Sequence, residues 1–316
     1  MAMSRKRRTI VATIIVLVVF AVTVAVLWRT ILASGSVETL DRVDSWLSDA
    51  EVDLATQPVL YGDHPAQRLF VHKPAGDVID ARLPVLAFVH GGSWSHGDPA
   101  AYNFIARTFA PQGFVVVNIG YRLVPEGKFP HMNEDTAAAI RWIHENIADA
   151  GGDPEAIYLM GHSAGAYNAV MVGLDRQWLG REGLDDDVLK GVIGLAGPYD
   201  FYPFDGDGTR NAFGNWERPE ATQPINLVRG DAPPMLLATG DKDTTVRPRN
   251  TRVLADAITQ AGGSVETAFF EGMDHARPIM ALARPFARDG RVFDAVSEFI
   301  RKQEEKTASG QANAAP

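Results

Sequence analysis

The most continuous apolar stretch of the chain, residues 9–28, carries no charge and is dominated by Val and Ile. A helix of that length rises about 30 Å, the thickness of a bilayer's hydrocarbon core. After it the pattern becomes mixed. Val37, Leu40, Val43 and Leu47 recur at helical spacing and predict a short amphipathic helix within residues 36–57. Residues 67–73 read as a first strand, ended by Pro74 and Gly76. Residues 83–90 are almost wholly apolar up to Gly91-Gly92, and 114–119 repeat the pattern, as strands buried on both faces do. A helix is predicted between them, over 102–110. The clearest helix spans 133–150: Glu134 and Asp135 lie in its first turn, Ala138, Ile140, Ile143 and Ile147 on one face, and Gly151-Gly152 at its stop. Further strands are predicted over 156–160, 190–196, 234–239 and 264–270, and further helices over 166–174, 248–261 and 291–302.

Apolar strands alternating with helices predict an α/β architecture, a mostly parallel central sheet with helices on both faces. There is no internal repeat. The reading divides the chain into a basic tail and apolar segment (1–29), a linker helix (30–57), the α/β domain (58–302) and a disordered polar tail (303–316). Within the domain, residues 197–233 are rich in Gly, Pro, Asp and Asn and break the alternation, so they read as an irregular insertion over one face.

The net charge of −9 is unevenly spread. Residues 1–29 hold five basic residues and no acid, which leaves −14 on the remainder. Such an acidic body is a poor partner for nucleic acid, whose affinity comes from clustered Lys and Arg. Arg5-Lys6-Arg7-Arg8 before the apolar segment outweighs Arg29 after it, which predicts an inner-membrane signal anchor with its N-terminus in the cytoplasm and the body outside. The competing reading is a cleaved signal peptide releasing a secreted body. Its apolar region is usually about 7–15 residues, yet the small residues Ala33-Ser34-Gly35-Ser36 would permit cleavage. There is no cysteine, and so no disulfide, thiolate ligand or cysteine nucleophile.

Candidate chemistry centres on Gly161-His162-Ser163-Ala164-Gly165, set between a short apolar strand and an apolar helix. This is the strand–turn–helix setting of a nucleophile elbow, where the serine Oγ is exposed on a tight turn. His162, on that sharp turn, is expected to point away from the serine. Serine needs a base oriented by an acid, in the chain order Ser, acid, His. Only His275 follows Ser163, so the base is forced. The acid should follow the preceding strand, in Gly240-Asp241-Lys242-Asp243. Asp243 is the choice and Asp241, which suits a turn former, the alternative. His90-Gly91-Gly92-Ser93-Trp94 closes a buried strand, and amides of Gly92, Ser93 and Ala164 are expected to form an oxyanion hole. Trp94, Phe204, Phe213 and Trp216 are candidates for the substrate pocket; the insertion aromatics Phe201, Tyr202, Phe204, Phe213 and Trp216 read equally as local core of that loop. No histidine pair has metal-ligand spacing and no phosphate-cradling loop occurs, so no metal or cofactor is expected.

These residues resemble the α/β-hydrolase serine esterases of the hormone-sensitive-lipase-like and kynurenine-formamidase-like branch. The resemblance covers residues 61–300 and includes Tyr61-Gly62 with Gln67, Gly120-Tyr121-Arg122, Phe129-Pro130, Asp135, Trp142 and Gly152-Asp153-Pro154. Ser93 replaces the third glycine of the usual His-Gly-Gly-Gly, a variant of the formamidase-like branch. His162 and Ala166 depart from the common residues around the elbow. The resemblance implies an α/β-hydrolase fold, cleavage of a small-molecule ester through an acyl-enzyme on Ser163, and scaffold roles for Tyr121, Arg122 and Asp135. An arylformamidase, amidase or exopeptidase with the same triad is the first alternative, and a membrane-tethered, non-catalytic binding module the second. Nothing in the sequence speaks to oligomeric state.

Overall fold

The computed structural model describes residues 36–78 and 80–314, together with 11, 13–16, 18, 19 and 22 of the apolar segment, which are helical and exposed. The expected membrane span therefore lies largely outside the described residues. Among the described residues no helix is long and apolar enough to cross a membrane.

The described residues form a nine-stranded sheet. Its core strands are β3 (Arg68–Pro74), β4 (Leu83–Val89), β5 (Val115–Ile119), β6 (Gly152–His162), β7 (Leu189–Leu195), β8 (Met235–Gly240) and β9 (Val265–Phe270). The order β3-β5-β4-β6-β7-β8-β9 is parallel from β5 onward. β3 runs antiparallel to β5, and the two-residue strands β1 (Val52–Asp53) and β2 (Val59–Leu60) pair antiparallel with β3. Each predicted strand is present within a few residues of its expected bounds.

The apolar strands are explained by what covers them. Val85, Ala87 and Val89 of β4 face one core cluster and Leu86 and Phe88 the other. The first cluster is closed by α3 (His131–Asn146), α4 (Ala164–Leu174) and α7 (Arg249–Gln260), through Ile140, Tyr167 and Leu254. The second is closed by α1 (Val37–Leu47), α2 (Asn103–Phe109) and α9 (Arg291–Ala314), through Leu40, Phe104 and Phe299. Helices cover both faces, as a parallel sheet requires.

Two boundary expectations are corrected. The helix within 30–57 is no linker standing clear of the domain. Ser36 caps α1, and Leu40 and Asp44 are its buried residues. Arg107 of α2 pairs with both Asp41 and Asp44, Asp41 Oδ1 accepts the Phe104 amide at 2.8 Å, and Asp44 Oδ1 accepts the Arg284 amide at 2.5 Å. The apolar stripe expected through Leu47 fails because these carboxylates turn their own face inward and leave Trp46 and Leu47 exposed. β1, just beyond, joins the sheet.

The second correction concerns residues 303–316, expected as a disordered tail. α9 continues through this region to Ala314. Gln303 is buried and Arg301 pairs with Glu305 one turn on, while Gln, Glu, Lys and Ala here are good helix formers.

Residues 197–233 hold α6 (Asp207–Phe213) and single helical turns. Two short helices have no counterpart in the sequence reading, α5 (Gln177–Arg181) and α8 (Arg277–Met280), the latter just after His275.

Candidate active site

Four loops converge at the carboxyl ends of the parallel strands, where open α/β sheets bind ligands. They follow β4 (Gly91–Ser93), β6 (Ser163), β8 (Asp243) and β9 (His275). Ser163 has φ 54° and ψ −119°, a strained conformation for a non-glycine residue. Two glycines make the turn possible. A Cβ on Gly161 would sit 2.1 Å from the Gly165 carbonyl oxygen, and one on Gly165 would sit 2.1 Å from that of Val89. The turn is anchored by the Ser163 amide, which donates to the Leu195 carbonyl at 2.8 Å.

His275 Nε2 lies 2.9 Å from Ser163 Oγ, and His275 Nδ1 lies 2.7 Å from Asp243 Oδ2. With Nδ1–H donating to the carboxylate, Nε2 is free to accept the serine proton. Asp243 is buried, and its other oxygen accepts the amides of Thr245 (2.9 Å) and Val246 (2.8 Å). Of the two candidate acids, then, Asp243 meets the histidine. Asp241 acts elsewhere. Its Oδ1 accepts the Gly272 amide at 2.7 Å and ties the β8 turn to the loop that carries His275.

His162 has a more specific part than merely pointing away from the nucleophile. Its Nε2–H donates to the backbone carbonyl of His275 at 3.0 Å, with ring centroids 5.2 Å apart. Burial, and next the neighbouring His275, lower its pKa to about 3, so it stays neutral. The residue before Ser163 thus fastens the loop that carries His275. Its adjacency to Ser163 is visible in sequence, but its partner, 113 positions away, is not.

Behind β4, Gly92 (φ 121°), Ser93 (φ 52°) and Trp94 (φ 59°) form a left-handed run. A Cβ on Gly92 would meet the His96 carbonyl oxygen at 2.1 Å, and one on Gly91 would meet Ser163 Cβ at 3.2 Å, so this loop lies directly against the elbow. His90 shapes its base. The imidazole is fully buried, stacks on Tyr121 (centroids 4.6 Å apart), and is held neutral by burial with a pKa lowered to about 4. Ala164 is the first residue of α4, whose opening amides have no acceptor within the helix. Gly92 and Ser93 border the same cavity as Ser163 and His275.

The aromatic candidates for the pocket are placed elsewhere. Trp94 and Phe213 are buried and pack edge to face at 4.7 Å, Phe204 stacks on Phe213 at 5.7 Å, and Trp216 packs on Phe129 at 4.9 Å. Trp94 Nε1 donates to Asn168 Oδ1 at 3.1 Å. None of the four lines the cavity beside Ser163. Trp94, from the loop after β4, and the three insertion rings pack into or against the first core cluster, where a segment with so little regular structure can bury its aromatics. The cavity, about 680 Å³, is instead walled by Val37 and Leu40 of α1, Tyr102, Phe104, Ile279 and Met280.

Of the residues assigned to the scaffold, Tyr121 lies against His90, while Arg122 and Asp135 form a tight polar knot with Gln67 outside this cavity. Asp135 is buried and accepts from Arg122 Nη2 (2.6 Å), the Arg122 amide (2.8 Å) and Gln67 Nε2 (2.7 Å). Among the described residues, no group of three or more His, Cys, Asp or Glu side chains is arranged to hold a metal ion.

Residues 71–258 match the family model BD-FAE. The chain is 30% identical to isoprenylcysteine alpha-carbonyl methylesterase ICME of Arabidopsis thaliana over 238 residues, 69% of this chain and 55% of that protein. It is also 30% identical to esterase LipC of Mycobacterium tuberculosis over 265 residues, 77% of this chain and 64% of that protein. The chain therefore spans between about half and two thirds of the length of these relatives. Among solved structures, a truncated carbohydrate esterase from gut microbiota superposes with a TM-score of 0.70 at 20% identity, covering 81% of this chain and 98% of that one. Thermogutta terrifontis esterase 2 phosphorylated by paraoxon superposes with a TM-score of 0.65 at 24% identity, covering 78% of this chain and 93% of that one. At these identities the likeness is one of fold.

Proposed function

The chain belongs to the BD-FAE family of α/β-hydrolase serine esterases, and from that premise we propose that it is a carboxylesterase cleaving a small-molecule ester through an acyl-enzyme on Ser163. The observation that carries this reading is the unbroken chain from Ser163 Oγ through His275 to the buried Asp243. His275 takes the serine proton as Oγ attacks the ester carbonyl, and Asp243 holds the imidazole and stabilises its charge. The amides of Gly92, Ser93 and Ala164 receive the oxyanion, each such donor being worth about 10²–10³ in rate. His275 then protonates the leaving alcohol, and water, activated by the same base, releases the acid. Ester cleavage is also what the names of the relatives say of those proteins.

Two measurements on the purified protein test this. A fluorophosphonate probe is expected to label the wild type and not Ser163→Ala. A panel of p-nitrophenyl esters, N-formyl aryl amines and peptide anilides is expected to show ester cleavage foremost. Failure of the wild type to label would favour a non-catalytic binding module, and amide cleavage without ester cleavage would overturn the choice of substrate.

On the same reading the enzyme sits at the inner membrane, anchored by residues 9–28, with the catalytic domain outside the cytoplasm. Its support is the uncharged length of that run and the Arg5–Arg8 cluster before it. Carbonate-washed membranes are expected to retain the intact protein, and protease added to spheroplasts to remove the domain. A soluble species shortened at residues 33–36 would show a cleaved signal peptide instead.

A further inference from the structure

We infer that α1 forms one wall of the leaving-alcohol subsite, and that the preferred substrates are esters whose alcohol is apolar and long enough to reach Val37 and Leu40. This rests on the esterase reading and adds to it which half of the ester is selected. Acylation forms the bond from Ser163 Oγ to the acyl carbon and breaks the bond from that carbon to the alcohol oxygen. The serine proton travels by way of His275 Nε2 to the departing oxygen, so the alcohol must lie on the His275 side of Ser163.

The cavity extends on that side. Ala276, Arg277, Ile279 and Met280, which directly follow His275 in the chain, line it, and the insertion 197–233 contributes no lining residue. On the oxyanion-loop side the insertion closes in instead: a Cβ on Gly208 would come within 3.1 Å of Ser93 Cβ. The same cavity is also walled by the first turn of α1, through Val37 and Leu40. This wall is built to stay. Arg107 is buried and grips both Asp41 and Asp44, so α1 is clamped to α2 and to the segment after α8 at Arg284.

The test uses the purified full-length chain with two substrate series: acetates of methanol, butanol, octanol and 1-naphthol, and p-nitrophenyl esters of acetate, butyrate and octanoate. Val37 is only partly buried, so Val37→Trp narrows the cavity without cutting into the core. The ratio of kcat/KM for octyl or 1-naphthyl acetate to that for methyl acetate should fall about 10-fold or more, the scale on which a pocket discriminates by size. The ratios along the acyl series should keep their wild-type values. Val37→Ala, which opens the same wall, should lower the octyl-to-methyl ratio a few-fold, and it serves if the tryptophan variant does not fold. An active enzyme whose alcohol ratios are unmoved, or whose losses follow acyl length, overturns this inference and leaves the esterase reading standing. A wild type that cleaves none of these esters and takes no fluorophosphonate overturns both.

Discussion

His72 makes a quantitative prediction about stability in acid. It lies wholly buried on β3, with Nδ1 accepting the Ala55 amide at 3.0 Å and Nε2 facing Asn118 at 3.3 Å. Burial, and next the charge of Arg107, lower its pKa from 6.5 to about 4. The unfolded chain takes up a proton near pH 6.5 that the folded chain refuses until near pH 4. Between those values the unfolded state binds more protons, so stability rises with pH and is lost as pH falls through 6.5. At 1.36 kcal/mol per pH unit, this one residue removes about 2 kcal/mol on going from pH 7.5 to pH 5. His90 and His162, lowered to about 4 and about 3, act in the same direction. Urea unfolding of the wild type and His72→Gln at the two pH values isolates the effect. The variant is expected to be weaker at pH 7.5, having lost the bond to Ala55, yet its further loss at pH 5 should be about 2 kcal/mol smaller than the wild type's. Equal losses in the two proteins would refute the reasoning, since His72 would then titrate alike in both states.

Two further outcomes follow from the site's geometry. Asp243→Asn presents His275 Nδ1 with a group that stabilises the wrong tautomer and no charge; kcat should fall by about 10⁴ with KM little changed, and a loss confined to KM would argue against an orienting role. Gly165→Ala places a methyl 2.1 Å from the Val89 carbonyl oxygen, a backbone atom with nowhere to go. It should destabilise the protein by at least about 1–3 kcal/mol, lowering Tm by several degrees in calorimetry, whereas an unchanged Tm would mean that helix and strand are less closely packed than the structure has them.

The central strands and the meeting of Ser163, Asp243 and His275 were legible because each depends on local pattern plus one rule of order. Buried parallel strands have to be apolar throughout, as residues 83–90 and 114–119 are, and the strand before a catalytic loop points to the loop. Choosing between Asp241 and Asp243 needed only their distance from the end of β8. What lay hidden were the remote contacts that no rule of chain order links. His162 fastening His275 is one, and the polar knot that gathers Gln67 and Arg122 on Asp135 is another. The two-residue strands β1 and β2 have no pattern of their own and exist only through their pairing with β3.

The two misplaced features, the pocket and the linker, share a physical cause. Aromatic residues in an irregular loop near an active site satisfy two demands equally well from sequence: lining a cavity or filling the loop's own core. Phe204, Phe213 and Trp216 meet the second, packing with Trp94 of the loop after β4, because the insertion has only α6 and scattered turns to hide its rings behind. None of these rings lines the cavity beside Ser163, so something else has to wall it. That something is α1, whose membership of the domain was masked by the carboxylates on its buried face. A helix with Asp41 and Asp44 turned inward looks solvated until Arg107, 66 residues from the first and 63 from the second, is seen between them. Replacing such a clamp with apolar contacts is often neutral or stabilising, so stability alone does not account for it. Orientation does: the two carboxylates on one arginine fix the rotation of α1 about its axis, and that rotation is what turns Val37 and Leu40 into the cavity beside Ser163.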